Sequence, residues 1–151
     1  MRGNRRTGTR PEVLLQSELT RRGVTYSANA DRLPGRPDLV LQAARVVVFC
    51  DGDFWHGHHW RRLRLQLAQR FNPTYWTAKI AANRARDRRN RTELKRLGWR
   101  VVRCWESEIL EDVTGVADRV QEVAASPYRA APARRRRVCP AIRLASGVRM
   151  R

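Results

Sequence analysis

The spacing of apolar residues changes along the chain between the period of a helix and that of a strand, and it predicts seven elements. Leu14, Leu15 and Leu19 form a helical stripe. Thr9-Arg-Pro-Glu12 before them has the form of a capping box, so a first helix is predicted to begin there. In that box the Thr9 hydroxyl would accept an early backbone N–H, and Gly23 would end the helix.

Later apolar runs predict the remaining elements. Residues 38–41 and 45–50 are expected to form an antiparallel hairpin joined by the link Gln42-Ala-Ala44. The order α-β-β-β-α-β-α predicts an α/β fold, a mixed sheet flanked by helices. The other elements are an extended segment at residues 24–26, a helix over residues 74–97 closed by Gly98, a strand over residues 99–105 and a helix over residues 113–124.

Charge is spread unevenly over the 151 residues and predicts one folded domain between two basic arms. Of the net charge of +18, residues 1–10 hold +4 and residues 126–151 hold +8, with no acidic residue in either segment. Such a composition buries too little apolar surface to offset the entropy of ordering it. We therefore expect a basic N-terminal arm over residues 1–8, a folded domain over residues 9–125 and a basic, disordered tail over residues 126–151. Arms of this kind are typical either of phosphate contact or of solvated termini.

Composition also narrows the compartment and the partners. The three cysteines are odd in number and form no CxxC pair, so neither a disulfide framework nor a cysteine-rich zinc site is indicated. No apolar run approaches the length of a membrane span, and no signal core follows the N-terminal arginines. We expect a cytoplasmic protein with no membrane partner, and the excess of positive charge favours a polyanion.

Acids and histidines cluster after the two hairpin strands and predict a metal-dependent hydrolase site. Asp38 closes the motif Leu33-Pro-Gly-Arg-Pro-Asp38, and Asp51-Gly-Asp-Phe-Trp-His-Gly-His-His-Trp60 follows the second strand. Mg²⁺ takes oxygen ligands, in proteins one or two carboxylates together with waters and a substrate phosphate. Asp38 and Asp51 are suited to supply the carboxylates, and Glu12 is a candidate to hold a metal-bound water.

The histidines have more than one interpretation. His56 is favoured as the general acid/base, because an imidazole exchanges protons near neutral pH. The alternative is a zinc site made from His56, His58 and His59 with Asp53 or Asp51, although no fourth soft ligand is evident. The plainer alternatives are a strand-end turn position for Asp38 and a hydrogen-bonded loop position for His56.

Aromatic and basic residues surround this cluster. Phe54 and Trp55 lie in the predicted loop and Trp76 begins the long helix. Aromatic wedges of this kind separate base pairs in some DNA-binding proteins, and ordinary packing is the alternative. The long helix is one-sidedly basic, which favours contact with phosphates. Its cations include Arg84, Arg88 and Arg89.

Six motifs stand in a fixed order over roughly residues 7–110. They read Thr9-Arg-Pro-Glu12, Leu33-Pro-Gly-Arg-Pro-Asp38, Val48-Phe-Cys-Asp-Gly-Asp-Phe-Trp-His56, Tyr75-Trp76 with Lys79-Ile80, Asn83-x-x-Arg86-Asp87, and Gly98-Trp-Arg-Val-Val102 with Trp105-Glu106. Together they resemble the very short patch repair DNA mismatch endonucleases. The resemblance implies a PD-(D/E)xK-like nuclease fold. It also implies a Mg²⁺-dependent nick 5′ to the mismatched thymine of T:G pairs left by deamination of 5-methylcytosine.

The same resemblance implies roles for individual residues. The metal would be held by the Asp38 carboxylate and the Cys50 carbonyl, with His56 as the base. The supporting acids would be Asp51, Glu12 and Asp87. Phe54, Trp55 and Trp76 would wedge into the duplex near the mismatch. From its charge, the long helix that carries Asp87, Arg84, Arg88 and Arg89 is also expected to contact the duplex.

One departure from the family pattern concerns zinc. The family commonly holds a structural zinc between cysteines and a histidine of this loop and a cysteine after the last strand's Trp-Glu pair. The corresponding residues of this chain are Asp53, His58, Trp60 and Ser107. No thiolate remains among them to close a structural zinc site. We therefore expect structural zinc to be absent and Trp60 to close the loop by packing.

These features predict a Mg²⁺-dependent DNA endonuclease that acts as a monomer on double-stranded DNA, with mismatch-repair proteins as candidate partners. Two alternatives stay open. One is a related PD-(D/E)xK nuclease of restriction or phage defence with the same metal site and different recognition. The other is a catalytically inactive basic module that only binds DNA.

Overall fold

The computed structural model describes residues 8–127, so most of the two predicted arms, residues 1–7 and 128–151, lies outside the described residues. Within the described range no helix is long and apolar enough to cross a membrane. The elements are α1 (Arg10–Arg21), β1 (Ser27–Ala28), β2 (Leu39–Leu41), β3 (Val46–Asp51), α2 (Asp53–His56), α3 (Trp60–Leu67), α4 (Pro73–Arg96), β4 (Arg100–Trp105), α5 (Glu106–Glu111) and α6 (Val113–Ala125).

The four strands form one mixed sheet in the order β1-β2-β3-β4. The first three are antiparallel neighbours, and the predicted β2–β3 hairpin is confirmed, with Leu39 opposite Val48 and Leu41 opposite Val46. β3 and β4 run parallel, because α2, α3 and α4 carry the chain back across the sheet between them. Parallel strands end at the same edge, so Asp51 of β3 lies opposite Trp105 of β4.

Helices cover both faces of the sheet. Val46 and Val48 of β3 belong to the larger apolar cluster, which α1, α5 and α6 complete. Val47 between them lies on the other face, in a cluster with Leu94 of α4 and Trp99. A strand with both faces covered is apolar without alternation, which explains the continuous run at residues 46–50. The prediction of a mixed α/β fold is thereby confirmed.

Three local predictions differ from the structure. The first strand is Ser27–Ala28 instead of residues 24–26, and α5 was not predicted. The segment expected to be a loop contains α2 and α3, because four and eight residues are too short to show helical periodicity in the sequence. Gly57 ends α2 at φ 67°, and a Cβ there would lie 2.8 Å from Arg84 Cδ. This glycine therefore allows α2 to pack closely on α4.

Candidate active site

A cleft of about 810 Å³ opens beside the ends of β3 and β4. Its lining brings together residues from five of the six sequence motifs, because the start of α1, the β2–β3 hairpin, α2, α4 and the β4 segment all contribute to it. The predicted site residues that line it are Glu12, Asp38, Cys50, Asp51, Trp55, His56 and Asp87.

Asp38 and Cys50 are neighbours across the end of the hairpin. The Cys50 N–H donates to Asp38 Oδ2 at 2.6 Å, just beyond the last ladder bond, in which the Asp38 N–H donates to the Val48 carbonyl. The N–H and C=O of one strand residue point to the same side of the strand. The Cys50 carbonyl therefore faces the edge on which Asp38 lies, and the two offer oxygen donors to a hard cation.

The electrostatics at Asp38 favour a cation. Burial raises the pKa of Asp38 to about 7; the Cys50 N–H opposes this shift, while the charges of Glu12 and Asp51 add to it. A bound cation would favour the ionised carboxylate and reverse the shift. In the part of the chain that the structure describes, no three His, Cys, Asp or Glu side chains converge on one metal position. One carboxylate and one carbonyl still match the few protein ligands that Mg²⁺ uses.

Glu12 is fixed by the first turn of α1 and is only 3% exposed. The Thr9 hydroxyl donates to Glu12 Oε1 at 2.7 Å, and the Gly8 N–H donates to Oε2 at 2.8 Å. The predicted capping box is therefore wrong, because the Thr9 hydroxyl donates to the carboxylate instead of accepting a backbone N–H, and Glu12 accepts from the Gly8 N–H instead of from the Thr9 N–H. The hydrogen bonds from Thr9 and Gly8 hold the Glu12 carboxylate at the cleft.

His56 lies at the end of α2 with its Nδ1 between two carboxylates. Nδ1 is 2.8 Å from Asp87 Oδ2 and 3.3 Å from Asp51 Oδ1. Burial opposes the charged ring, but the hydrogen bond with Asp87 and the charges of Asp51 and Asp87 outweigh it and raise the pKa of His56. With two anionic oxygens beside it, Nδ1 must carry a proton. The neutral ring then has its lone pair on Nε2.

Arg103 completes this group, and the sequence analysis missed it. Its Nε donates to Asp51 Oδ2 at 2.5 Å and its Nη2 donates to Asp87 Oδ2 at 3.1 Å. Asp51 is thus paired with a cation, and Asp87, which was grouped with the DNA-contacting residues, lies in the cleft. Burial would raise the pKa of Asp87, but His56 and Arg103 together hold it below its usual value. The sequence signal that could have identified Arg103 is the alternation of side chains along β4, which places Arg103 on the same face of the sheet as Val101.

Phe54, Trp55 and Trp76 form a cluster of rings beside the cleft. The ring centroids of Phe54 and Trp55 are 5.1 Å apart, and that of Trp76 lies 5.7 Å and 5.9 Å from them. All three side chains remain partly exposed. The Asn83 side chain donates to the Trp55 carbonyl at 3.0 Å, and Lys79 Nζ lies 5.4 Å from the Trp55 ring centroid. The cluster is therefore a surface feature that α4 anchors, separate from the two apolar cores.

The arginines predicted to contact phosphate differ in their surroundings. Arg88 and Arg89 are exposed on α4, whereas Arg84 is half-buried. The Arg84 guanidinium lies over the Trp60 ring at 5.0 Å. Arg88 and Arg89 are therefore accessible to a ligand, whereas Arg84 packs against Trp60 in the segment after α2.

The residues at the positions of the family's zinc ligands contact one another. Asp53 Oδ1 lies 2.8 Å from His58 Nδ1 and accepts from the Ser107 hydroxyl at 3.0 Å, and Oδ2 accepts from the Ser107 N–H at 3.1 Å. His58 also stacks on Trp105 at 4.3 Å. Trp60 is half-buried. Polar contacts through Asp53 therefore join this loop to Ser107 at the start of α5. Trp60 packs against the Arg84 guanidinium, and its closing of the loop stays a prediction.

Comparison with known proteins gives consistent matches. A family model described as DNA mismatch endonuclease Vsr matches residues 1–62. The type II nicking enzyme V.NmeDIP of Neisseria meningitidis serogroup C is 34% identical over 122 residues, which are 81% of this chain and 81% of that protein. The type II nicking enzyme V.XorIIP of Xanthomonas oryzae is 39% identical over 119 residues, 79% and 85% of the two chains. The DNA mismatch endonuclease Vsr of Escherichia coli is 40% identical over 95 residues, 63% and 59% of the two.

Proposed function

The chain belongs to the Vsr family of DNA mismatch endonucleases, and we propose that this DNA endonuclease nicks one strand 5′ to the mismatched thymine of T:G pairs. The observation that carries the proposal is the juxtaposition of the acidic cleft with the exposed rings of Phe54, Trp55 and Trp76. A PD-(D/E)xK-like arrangement is part of the proposal, and the mixed sheet with acids at its edge supports it. The proposal also includes a single endonuclease domain over residues 9–125. It further includes a cytoplasmic monomer that works together with mismatch-repair proteins.

Asp38 and the Cys50 carbonyl are the groups that we propose as the Mg²⁺ ligands. The ion would supply positive charge to the scissile phosphate and acidify a water. The raised pKa of Asp38 supports the assignment, because that buried carboxylate lies near the charges of Glu12 and Asp51 and needs a counter-charge. Asp51 is a weaker candidate ligand, since one of its oxygens already accepts from Arg103.

His56 is the group that we propose as the general base. Its Nδ1–H donates to Asp87 at 2.8 Å, so Nε2 carries the lone pair that takes a proton from the attacking water. The imidazolium formed in this step has Asp87 and Asp51 beside it. Both carboxylates favour the charged ring and so lower the free energy of the proton transfer.

Binding of the duplex is assigned to the aromatic cluster and to α4. Arg88 and Arg89 are exposed and suited to phosphates of any sequence. The rings of Phe54, Trp55 and Trp76 are suited to enter a base step. A mismatched pair is held less tightly in the stack than a matched one, so inserting a ring there costs less. This difference would direct the nick to the mismatch.

A nicking assay with magnesium tests the proposal. The substrates are one labelled duplex sequence with a T:G mismatch, with T:A, or with 5-methylcytosine paired with G. We expect a nick only in the mismatched duplex, on the thymine strand and 5′ to that thymine. Cutting of matched DNA would favour the restriction-type nuclease, and tight binding without cutting would favour the inactive module. Either outcome would overturn the proposal.

A further inference from the structure

Arg103 is a largely buried cation on an apolar side of the sheet. It lies on β4 two residues after Val101, which packs with the cluster beneath α4, and its side chain is 17% exposed. A charge in such a place strongly destabilises the fold unless partners compensate it. The compensating partners are Asp51 and Asp87, two acids of the cleft.

We propose that Arg103 is a positioning residue for the nicking reaction, holding Asp51 and Asp87 where they fix the ring of His56. The proposal rests on the proposed role of His56 as the base. Arg103 binds one oxygen of Asp51 at 2.5 Å and Asp87 Oδ2 at 3.1 Å. The other oxygen of Asp51 and the same Oδ2 of Asp87 are the two oxygens that flank His56 Nδ1. One guanidinium therefore sets both neighbours of the ring nitrogen.

The hydrogen positions around Nδ1 follow from this geometry. Arg103 Nη2 lies 3.2 Å from His56 Nδ1, and an arginine nitrogen only donates. Because two carboxylate oxygens flank Nδ1, we assign the hydrogen to Nδ1, which donates to Asp87 Oδ2, and Nη2 donates to that same oxygen. Without Arg103, two carboxylates of like charge would face each other across the ring, and Nδ1–H would have two competing acceptors. The orientation of Nε2 would then be less well defined.

Lysine is a poor substitute in this role. Nε and Nη2 of one planar guanidinium reach two carboxylates in different directions, whereas an ammonium is a single point charge on a flexible stem. A lysine at position 103 keeps the charge and loses the fixed geometry. Comparison of the two variants therefore separates charge from positioning.

The test measures single-turnover nicking at saturating mismatched DNA together with the Kd for that DNA in Ca²⁺. For Arg103→Met we expect the rate constant to fall about 100-fold with Kd changed less than about 3-fold, and for Arg103→Lys a fall of about 10-fold. The matched control is Arg22→Met. Arg22 is a similarly shielded arginine that pairs with Glu18 and Asp118, away from the cleft. It should lose stability and keep its nicking rate.

A second arm identifies the route by which Arg103 acts. In a His56→Ala background, Arg103→Met should lower the residual rate less than about 2-fold, because residues that act as a unit are not additive. A full, additive loss would overturn the proposal. So would a loss confined to Kd, which would make Arg103 a phosphate contact. If Arg103→Met does not fold, Arg103→Lys is carried through the same cycle.

A third arm does not depend on nicking. The ¹⁵N spectrum of His56 in protein free of DNA and metal should show one tautomer with Nδ1–H in the wild type and a mixture in Arg103→Lys. An unchanged spectrum would contradict the positioning role. If the wild type nicks no duplex but the His56 spectrum differs between the wild type and Arg103→Lys as expected, the proposed function fails. The effect of Arg103 on the His56 ring then still stands.

Discussion

The acidic cleft and the aromatic cluster share α2 and α4, yet they are held together in different ways. In the cleft, Asp51, His56, Asp87 and Arg103 are joined by polar contacts of 2.5 to 3.3 Å. In the aromatic cluster the rings meet only edge to face or tilted, with centroids more than 5 Å apart. Proton transfer tolerates little displacement of its groups. Rings that enter a base stack must instead be able to shift. The contrast suggests one region built for fixed geometry and one for adaptation.

The largest expected effect is that of Asp38→Asn on the rate of nicking. The substitution removes the proposed anionic metal ligand beside the Cys50 carbonyl, so we expect a loss of about 10⁴-fold or more with DNA binding retained. Single-turnover nicking and a gel-shift assay in Ca²⁺ measure the two quantities. Asp31→Asn is the matched control, since Asp31 lies at the rim of the cleft with a side chain 79% exposed, and it should keep its rate within a few-fold. Near wild-type turnover in Asp38→Asn would remove Asp38 from the site.

The next largest effect is expected from replacing His56, the proposed general base. His56→Ala should lower the rate by about 10² to 10⁴-fold, the usual contribution of a general base. The raised pKa of His56 means that activity falls at a higher pH on acidification than it would for an ordinary histidine. Asp87→Asn removes a charge that raises this pKa, so the acidic limb of the pH–rate profile should move to lower pH. A limb that stays in place in Asp87→Asn would show that another group sets it.

Asp38→Asn should also stabilise the metal-free fold. The pKa of Asp38 is about 7 in the folded protein and about 4 in the unfolded chain. As the pH rises, Asp38 therefore keeps its proton to a higher pH in the folded state than in the unfolded chain. The destabilisation of the fold by the ionised Asp38 is absent below about pH 4, grows up to about pH 7 and is constant above that. After allowance for partial exposure we expect the variant to gain about 2 kcal/mol at pH 8. Urea unfolding in EDTA at pH 4 and pH 8 measures it. An equal effect at both pH values would contradict the pKa assignment.

Two variants with smaller expected effects distinguish recognition of the mismatch by the aromatic cluster from charge-based binding of DNA by α4. Phe54→Ala should reduce the preference for T:G over T:A duplexes by about 10-fold, because the wedge gains most where the stack is weak. Arg88→Ala should weaken binding to all duplexes by a similar, few-fold factor and lower the salt dependence by about one ion. Competition binding with matched and mismatched DNA gives both numbers. Equal losses on the two duplexes for Phe54→Ala would count against insertion.

The smallest expected effect is that of a zinc chelator. Asp53 and His58 are bonded to each other and Asp53 to Ser107, and none of the three is a thiolate. We expect less than about 0.1 zinc per chain by elemental analysis and no change in Tm on addition of the chelator. Asp53→Ala should lower the Tm instead, with Glu111→Ala on the exposed surface as the control. One zinc per chain would show that Asp53 and His58 are ligands after all.

The sequence predicted the parts of the site that are marked by unusual residues in loops and strand ends. Asp38 after its proline, Glu12 at a helix start and His56 in the His-rich segment were all singled out, and the structure places them around one cleft. Arg103 was not, because an arginine in a strand is most often solvated, and only its tertiary partners make it distinctive. Asn83 was quoted as part of a motif but was given no role, because its contact with the Trp55 carbonyl depends on tertiary packing.

The fold was predictable to a similar extent. Apolar patterns gave α1, the β2–β3 hairpin, β4 and α6, since each of them contributes several residues to a core. α4 buries only Ile80 and Leu94, and its length and the closing Gly98 made it predictable. The short helices α2, α3 and α5 carry few buried side chains, so their pattern is weak. The conformation of α2 depends instead on Gly57 and on its packing against α4, which no local stretch of sequence encodes.

The parallel pairing of β3 with β4 has a consequence for the order in which activity can arise during synthesis. His56, the proposed base, and its carboxylate partner Asp87 both lie in the crossover between these strands, and Arg103 arrives only with the second strand. A growing chain that has not yet reached residue 105 already contains Asp38, Asp51, His56 and Asp87, but lacks the strand against which the cleft is formed. Such a chain has to fold across a long sequence separation before its acids can be neutralised. We therefore expect a chain truncated before residue 105 to lack nicking activity.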